Sequence, residues 1–139
     1  MAKLEFDDDF SQLMEEFNLS AGAVERRGRI TSALGLQPGM RVLDVGSGPG
    51  HQIAEMAQAM GASGHIDGLD SSEGAVEIAR RRCDELANVT VTLGDAYDLP
   101  FEAETFDAAM SSQVFEYLEH VSKALNEMYR VLKSGARVC

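Results

Sequence analysis

Little in this sequence is basic, sulfur-bridged or continuously apolar, and each shortage excludes something. Lys and Arg number 12 against 23 Asp and Glu, a formal net charge of −11. A sequence-independent nucleic-acid binder gains its affinity by neutralising phosphates, so this balance argues against one. Two cysteines in 139 residues make no disulfide framework, and a reducing cytoplasm is the expected setting. No run approaches the ~20 apolar residues of a membrane span, because Gly, Asp or Arg interrupts each one. The opening residues, Met1 to Asp9, are acidic and lack the apolar centre of a signal peptide. What is present suits a folded domain: 45% of the residues are hydrophobic, and the length is that of one domain.

Residues 1–35 read as helical. Phe6, Phe10, Leu13, Met14 and Phe17 recur at spacings of three and four, which places them on one helix face. Such a face either packs on the core or forms a movable lid over a ligand. A second helix spans residues 21–34, with Ser20 as its cap and Gly35 as its stop. From residue 36 to 139 the pattern becomes strand, turn and helix. Strands are expected at 40–45, 65–69, 89–93 and 106–110, and helices at 52–60, 73–86 and 114–132. Four alternations of strand and helix predict an α/β domain with a doubly wound parallel sheet. The last segment, Leu132 to Cys139, echoes Leu36 to Leu43, sharing Leu, Gly, Arg and Val at equivalent places. It predicts a fifth strand cut short, hence a truncated chain, or an edge completed by a second copy.

The chemistry centres on Val42-Leu43-Asp44-Val45-Gly46-Ser47-Gly48-Pro49-Gly50. A buried strand runs into a tight glycine turn, which is where open α/β sheets bind ligands. The spacing departs from the dinucleotide fingerprint Gly-x-Gly-x-x-Gly, whose third glycine would stand at His51. An acid two residues before the first glycine is also wrong for a pyrophosphate, which seeks a positive helix end. Asp44 suits a cationic ligand, and S-adenosylmethionine has an ammonium group, a sulfonium and no phosphate. Asp70, at the end of the second strand, stands where a carboxylate can accept the ribose hydroxyls. Asp95, in Gly94-Asp95-Ala96 after the third strand, could accept the adenine amino group.

With these blocks in view, the sequence resembles the class I S-adenosylmethionine-dependent methyltransferases, in particular the ubiquinone/menaquinone-type small-molecule group. The resemblance covers residues 36–139. It rests on Val42 to Gly50, Gly68-Leu69-Asp70-Ser71-Ser72, Gly94 to Phe101, Phe106-Asp107, and Leu125 to Gly135. It implies the Rossmann-like methyltransferase sheet, without its C-terminal strands, and S-adenosylmethionine as cofactor. Asp44, Gly46, Ser47, Gly48 and Gly50 would take the methionine end, Asp70 and Ser71 the ribose side, Asp95 and Ala96 the adenine. Ser111, after the fourth strand, would lie near the methionine part.

Two positions depart from the family pattern. Ser71 and Ala75 stand where relatives often pack apolar side chains on the adenine, and Glu116-Tyr117 stands where many carry a histidine. Amino-methylating nucleic-acid enzymes carry an Asn/Asp-Pro-Pro-aromatic signature after strand four, whereas this chain reads Ser111-Ser112-Gln113-Val114-Phe115. The implied acceptor is therefore a small molecule, with neither nucleic acid nor membrane as partner and no metal site. The implied reaction is an in-line displacement at the cofactor methyl, governed mostly by positioning. Tyr117, Glu116 and His120 are weak candidates for a base; His51 either lines the pocket or meets the loop backbone; Arg80, Arg81 and Arg82 read as a solvated face. Arg26, Arg27 and Arg29 read likewise, or as a docking patch for the acidic leader. The competing readings are a non-catalytic cofactor-binding module and, less favoured, a nicotinamide-dependent oxidoreductase.

Overall fold

A computed structural model describes residues 8–139, with backbone alone for 8–11. Phe6 thus lies outside the described residues, as does the side chain of Phe10. Helices α1 (Asp8–Leu19) and α2 (Ala21–Leu34) lead into β1 (Arg41–Val45), α3 (His51–Met60), β2 (His65–Asp70), α4 (Glu73–Arg82) and β3 (Val89–Leu93). Then come β4 (Phe106–Met110), a 3-10 turn at Phe115–Tyr117, α5 (Val121–Val131) and β5 (Leu132–Val138). The five strands form one parallel sheet in the order β3-β2-β1-β4-β5. From β1 the chain first builds outward through β2 and β3, then returns to β4 on the other side. The boundary between β1 and β4 is therefore the switch point at which such sheets open a crevice.

Strand alternation sends side chains to two cores. Val42, Ile66, Ala108 and Met110 face Leu34 of α2, Ile53 and Met56 of α3, and Val76 of α4. Leu43, Val45, Leu69 and Ala109 join Met128 and Val131 of α5 on the opposite face. Helix α2 has the caps its sequence predicts: the Ser20 hydroxyl accepts from the Ala23 N–H, and Gly35 ends it at φ 60°.

Three expectations are corrected. Residues 114–120 hold only the 3-10 turn, because Val114 is drawn against Gly46 and Phe115 onto the α5 core. Helix α4 stops at Arg82 rather than Leu86, since Leu86 turns inward against the α3 core. Helix α1 does not bury an apolar stripe: Leu13 is 59% and Phe17 47% exposed, and only Met14 of the described stripe is half-buried. Polar contacts hold it instead, as described below.

The fifth strand is present and pairs with β4 through an irregular register, Phe106 opposite Leu132 but Ala108 opposite Arg137. Residues 133–136 bulge out between these pairings. No helix among the described residues is long and apolar enough to cross a membrane.

Candidate ligand site at the carboxyl edge of the sheet

Asp44 is the centre of the site. It sits at the fourth position of β1, where the parallel register sets it opposite Gly68 of β2 and Met110 of β4. Neither neighbour carries a side-chain donor. The carboxylate is 2% exposed, and its Oδ1 has no hydrogen-bond partner. Burial, reinforced by the negative Asp70, pushes its pKa from the ordinary 3.8 up to about 7. The Ser47 hydroxyl, also buried, is a second polar atom without a partner. It lies over the bare Cα of Gly68, where a Cβ would press on it at 3.0 Å. A buried charge without a partner is costly, so this carboxylate and hydroxyl are candidates for completion by a ligand.

The turn after β1 is stitched to the end of β2. The Gly46 and Ser47 N–H groups both donate to the Leu69 carbonyl, at 2.7 and 3.0 Å. The Gly48 N–H donates to Asp70 Oδ2 at 2.9 Å, and the Ser72 N–H to Asp70 Oδ1 at 2.9 Å. Each Asp70 oxygen keeps a further lone pair for an outside donor. Gly50 donates to the Ser47 carbonyl, and Pro49 has no N–H. Every N–H from Gly46 to Gly50 is therefore committed inside the protein. Gly46 is the position at which glycine is required: at φ 81°, a Cβ there would collide with Val114 Cγ2. Val114 thus brings the segment after β4 onto the loop after β1, at the switch point.

Asp95 is exposed and closes a small turn by accepting from the Tyr97 N–H at 2.8 Å, with half-buried Ala96 beside it. Ser71 is exposed at the mouth of β2. The Ser111 hydroxyl donates to the Val45 carbonyl at 2.8 Å, bridging β4 to β1. Asp44, Asp70, Ser47, Gly48 and Ser111 gather around the ends of β1, β2 and β4; Asp95 and Ala96 follow the next strand end. The three base candidates do not share that arrangement. Tyr117 is 63% exposed and Glu116 is exposed. The His120 backbone N–H donates to the Tyr97 hydroxyl at 3.2 Å, with the two rings 6.0 Å apart. It therefore serves to join the loop after β3 to the start of α5.

His51, 8% exposed, pairs through its Nε2 with Glu15 of α1 at 2.9 Å. Of the three arginines late in α4, Arg80 and Arg81 are exposed, as a solvated face requires, and Arg82 is half-buried. Arg80 donates twice to the Val91 carbonyl, and Arg82 donates to the Pro49 carbonyl and to Glu15. Arg81 stands in an exposed pair with Glu77. Arg27, 5% exposed, bonds Glu55 of α3 and the Asn18 carbonyl of α1. Arg29 does read correctly as surface. Spacing carried the missing signal: Arg82 follows buried Ala75 and Ala79 by seven and three residues, and Arg27 follows buried Ala23 by four.

A second overlooked pair anchors the loop after β3. Glu127 of α5 accepts from the Leu99 N–H at 2.8 Å, and Arg130 donates to the Leu99 and Phe101 carbonyls. The hydrogen bond from Arg130 is the main influence on Glu127, holding its carboxyl below the usual range against a smaller effect of burial.

Residues 42–135 match the family model described as a methyltransferase domain. The chain is 42% identical over 106 residues to a 37.1 kDa transposon protein of Streptomyces fradiae, covering 76% of this chain and 31% of that one. It is 35% identical over 112 residues to demethylmenaquinone methyltransferase of Staphylococcus aureus, covering 81% and 46%. Among solved structures, a SAM-dependent methyltransferase from Aquifex aeolicus superposes with a TM-score of 0.81 at 26% identity, over 96% of this chain and 71% of that one. The chain thus spans less than half the length of both curated relatives. It belongs to the class I S-adenosylmethionine-dependent methyltransferase family, and its sheet is of that family's Rossmann-like type.

Proposed function

We propose that this chain holds S-adenosylmethionine at the carboxyl ends of β1, β2 and β3 and directs its methyl group to a small-molecule acceptor. The observation that carries this reading is Asp44: a carboxylate buried beside a second carboxylate, with an oxygen that no donor satisfies. A cation completes that arrangement and an anion worsens it. The residues present fit the donor molecule in three further ways. The Asp70 oxygens, oriented by the Gly48 and Ser72 N–H groups, retain lone pairs for two vicinal hydroxyls. Gly48 leaves open space where a Cβ would stand, so a ligand can approach the backbone there. Asp95 and Ala96 edge the adjoining strand end, where an adenine would lie, with Ser71 near the ribose.

The bound cofactor supplies an electrophilic methyl on a sulfonium, which an acceptor nucleophile displaces in line to leave a neutral thioether. The protein's part is to bind, orient and exclude water, worth on the order of 7–11 kcal/mol for well-placed reactants. Asp44 offers negative charge to the amino end of the ligand, and the loop after β4, with Ser111 and Val114, borders the methionine side. Tyr117, Glu116 and His120 lie exposed on the outer part of that loop. The acidic surface favours a small acceptor in a cytoplasmic protein over a nucleic acid. β5, bonded to β4 alone among the described strands, offers the edge by which two copies would pair.

A second reading is favoured by the exposure of those three residues. In it the chain binds the nucleoside without turnover. Calorimetry with S-adenosylhomocysteine, with NAD as comparator, tests the shared part: the former is expected to bind and the latter not. Binding of NAD alone would end both readings. A methyl-transfer assay, on this chain and on any longer form, then separates enzyme from binding module.

A further inference from the structure

Helix α1 is fastened to the glycine loop through one guanidinium. Arg82, the last residue of α4, donates Nε to the Pro49 carbonyl at 2.8 Å and Nη2 to Glu15 Oε2 at 2.8 Å. The same Glu15 oxygen pairs with His51 Nε2 at 2.9 Å, on the first residue of α3. One turn further along α1, the Asn18 carbonyl accepts from Arg27 Nη1 at 2.8 Å. These contacts hold α1 where apolar burial does not, since Leu13 and Phe17 remain exposed. Burial alone would raise the Glu15 carboxyl, but His51 and Arg82 overcome it and keep the carboxyl below its ordinary 4.5.

The Pro49 carbonyl belongs to the most adaptable part of the loop, between Gly48 at φ 54° and Gly50 at φ 88°. Arg82 is the side chain that pins it, and Glu15 is the group that orients Arg82. Glu15 also lies before the span matched by the family model, which begins at residue 42.

We propose that Glu15 is a positioning residue for the ligand loop, acting through Arg82 on the Pro49 carbonyl, so that docking of α1 and binding at the loop strengthen each other. This rests on the reading that the loop takes S-adenosylmethionine. Linkage requires the effect to be reciprocal: the ligand tightens α1 by the factor by which docked α1 tightens the ligand.

The test compares wild type with Glu15→Gln, Arg82→Lys and, as a surface-charge control, Glu25→Gln from the exposed Glu25–Arg29 pair. S-adenosylhomocysteine affinity is measured by calorimetry, and hydrogen exchange is followed at residues 12–19 and 46–50. Glu15→Gln is expected to weaken affinity about 5- to 10-fold and to speed exchange at 46–50 in the ligand-free protein. Arg82→Lys keeps the charge but replaces the fork with one ammonium, and should behave alike; Glu25→Gln should match wild type. Ligand should slow exchange at 12–19 in wild type and lose that effect in Glu15→Gln. Unchanged exchange at 46–50 in ligand-free Glu15→Gln overturns the proposal, whatever happens to affinity. If wild type fails to bind S-adenosylhomocysteine, the functional reading falls, while the ligand-free exchange still decides whether Glu15 holds the loop.

Discussion

Replacing Asp44 by Asn probes the buried carboxylate directly, because the amide keeps its shape and removes its charge. In the folded protein Asp44 titrates at about 7, against 3.8 ordinarily. Below pH 3.8 the group is neutral in both folded and unfolded chains and costs nothing. As pH rises toward 7 the unfolded chain sheds this proton while the folded chain keeps it, so wild type loses stability at about 1.4 kcal/mol per pH unit. The loss amounts to about 4 kcal/mol by pH 7 and is constant beyond it. Asp44→Asn lacks this loss. Whatever fixed cost the amide brings, its stability relative to wild type should climb by about 4 kcal/mol from pH 4 to pH 7, then level off.

Urea unfolding of both ligand-free proteins at unit steps from pH 4 to pH 8 reads this difference. Taking the difference cancels the contributions of Glu15, Asp107 and Glu127, whose lowered pKa values make stability fall at acid pH in both proteins alike. A difference that does not change with pH would refute the burial argument and with it the case for a cation-seeking site. The same charge predicts the binding profile. Wild-type affinity for S-adenosylhomocysteine, whose ammonium needs ionised Asp44, should fall as pH drops below about 7, whereas the weaker affinity of Asp44→Asn should stay level.

Asp70→Ala removes the acceptor of the Gly48 and Ser72 N–H groups. With charge-assisted bonds worth about 1.5–3 kcal/mol each, S-adenosylhomocysteine affinity should fall at least about tenfold by calorimetry; undiminished affinity would remove the ribose assignment. Gly46→Ala forces a Cβ into Val114 at φ 81° and should cost about 1–3 kcal/mol in urea unfolding. Adding Val114→Ala should recover the steric part and leave the conformational part, so full recovery would show that the left-handed backbone is free of strain. Glu127→Ala unties the Leu99 N–H from α5 and removes the carboxylate that orients Arg130, and should cost about 1–3 kcal/mol. Faster hydrogen exchange at residues 95–101 should accompany it, and unchanged exchange there would show that Glu127 does not anchor the loop.

Periodicity alone marks out much of the architecture. The strand at 106–110 lies at the residues its composition predicts, and the cap and stop of α2 are Ser20 and Gly35. These features depend on neighbours a few residues away. The misread features depend on partners far along the chain. Residues 114–120 have helix-like spacing, yet Val114 and Phe115 gain more by packing on Gly46 and on the α5 core than by joining a helix. Three consecutive arginines look like solvated surface, and Arg80 and Arg81 are exposed, yet Arg82 turns inward to the Pro49 carbonyl, which only the folded chain brings near. The carboxylates of the site were legible as residues at strand ends. That Asp44 lacks a donor was not, because it follows from which residues of β2 and β4 stand opposite.

The choice between a cationic and a phosphate-bearing ligand turns on more than the acids. Sheets that bind a pyrophosphate at this turn present free backbone N–H groups to it. Here Gly46 and Ser47 give theirs to the Leu69 carbonyl, Gly48 to Asp70 and Gly50 to Ser47, while Pro49 has none. The remaining backbone donors nearby are the first N–H groups of α3, which belong to the helix rather than to the loop. A phosphate here would find two carboxylates and no loop donor free to receive it. The loop's hydrogen bonds and the unsatisfied Asp44 oxygen are thus two sides of one arrangement: the backbone is spent on holding the turn's shape, and a side-chain charge is left for the ligand. That division suits a positively charged ligand recognised by carboxylates, and it is independent of the glycine spacing that first set this loop apart from the dinucleotide fingerprint.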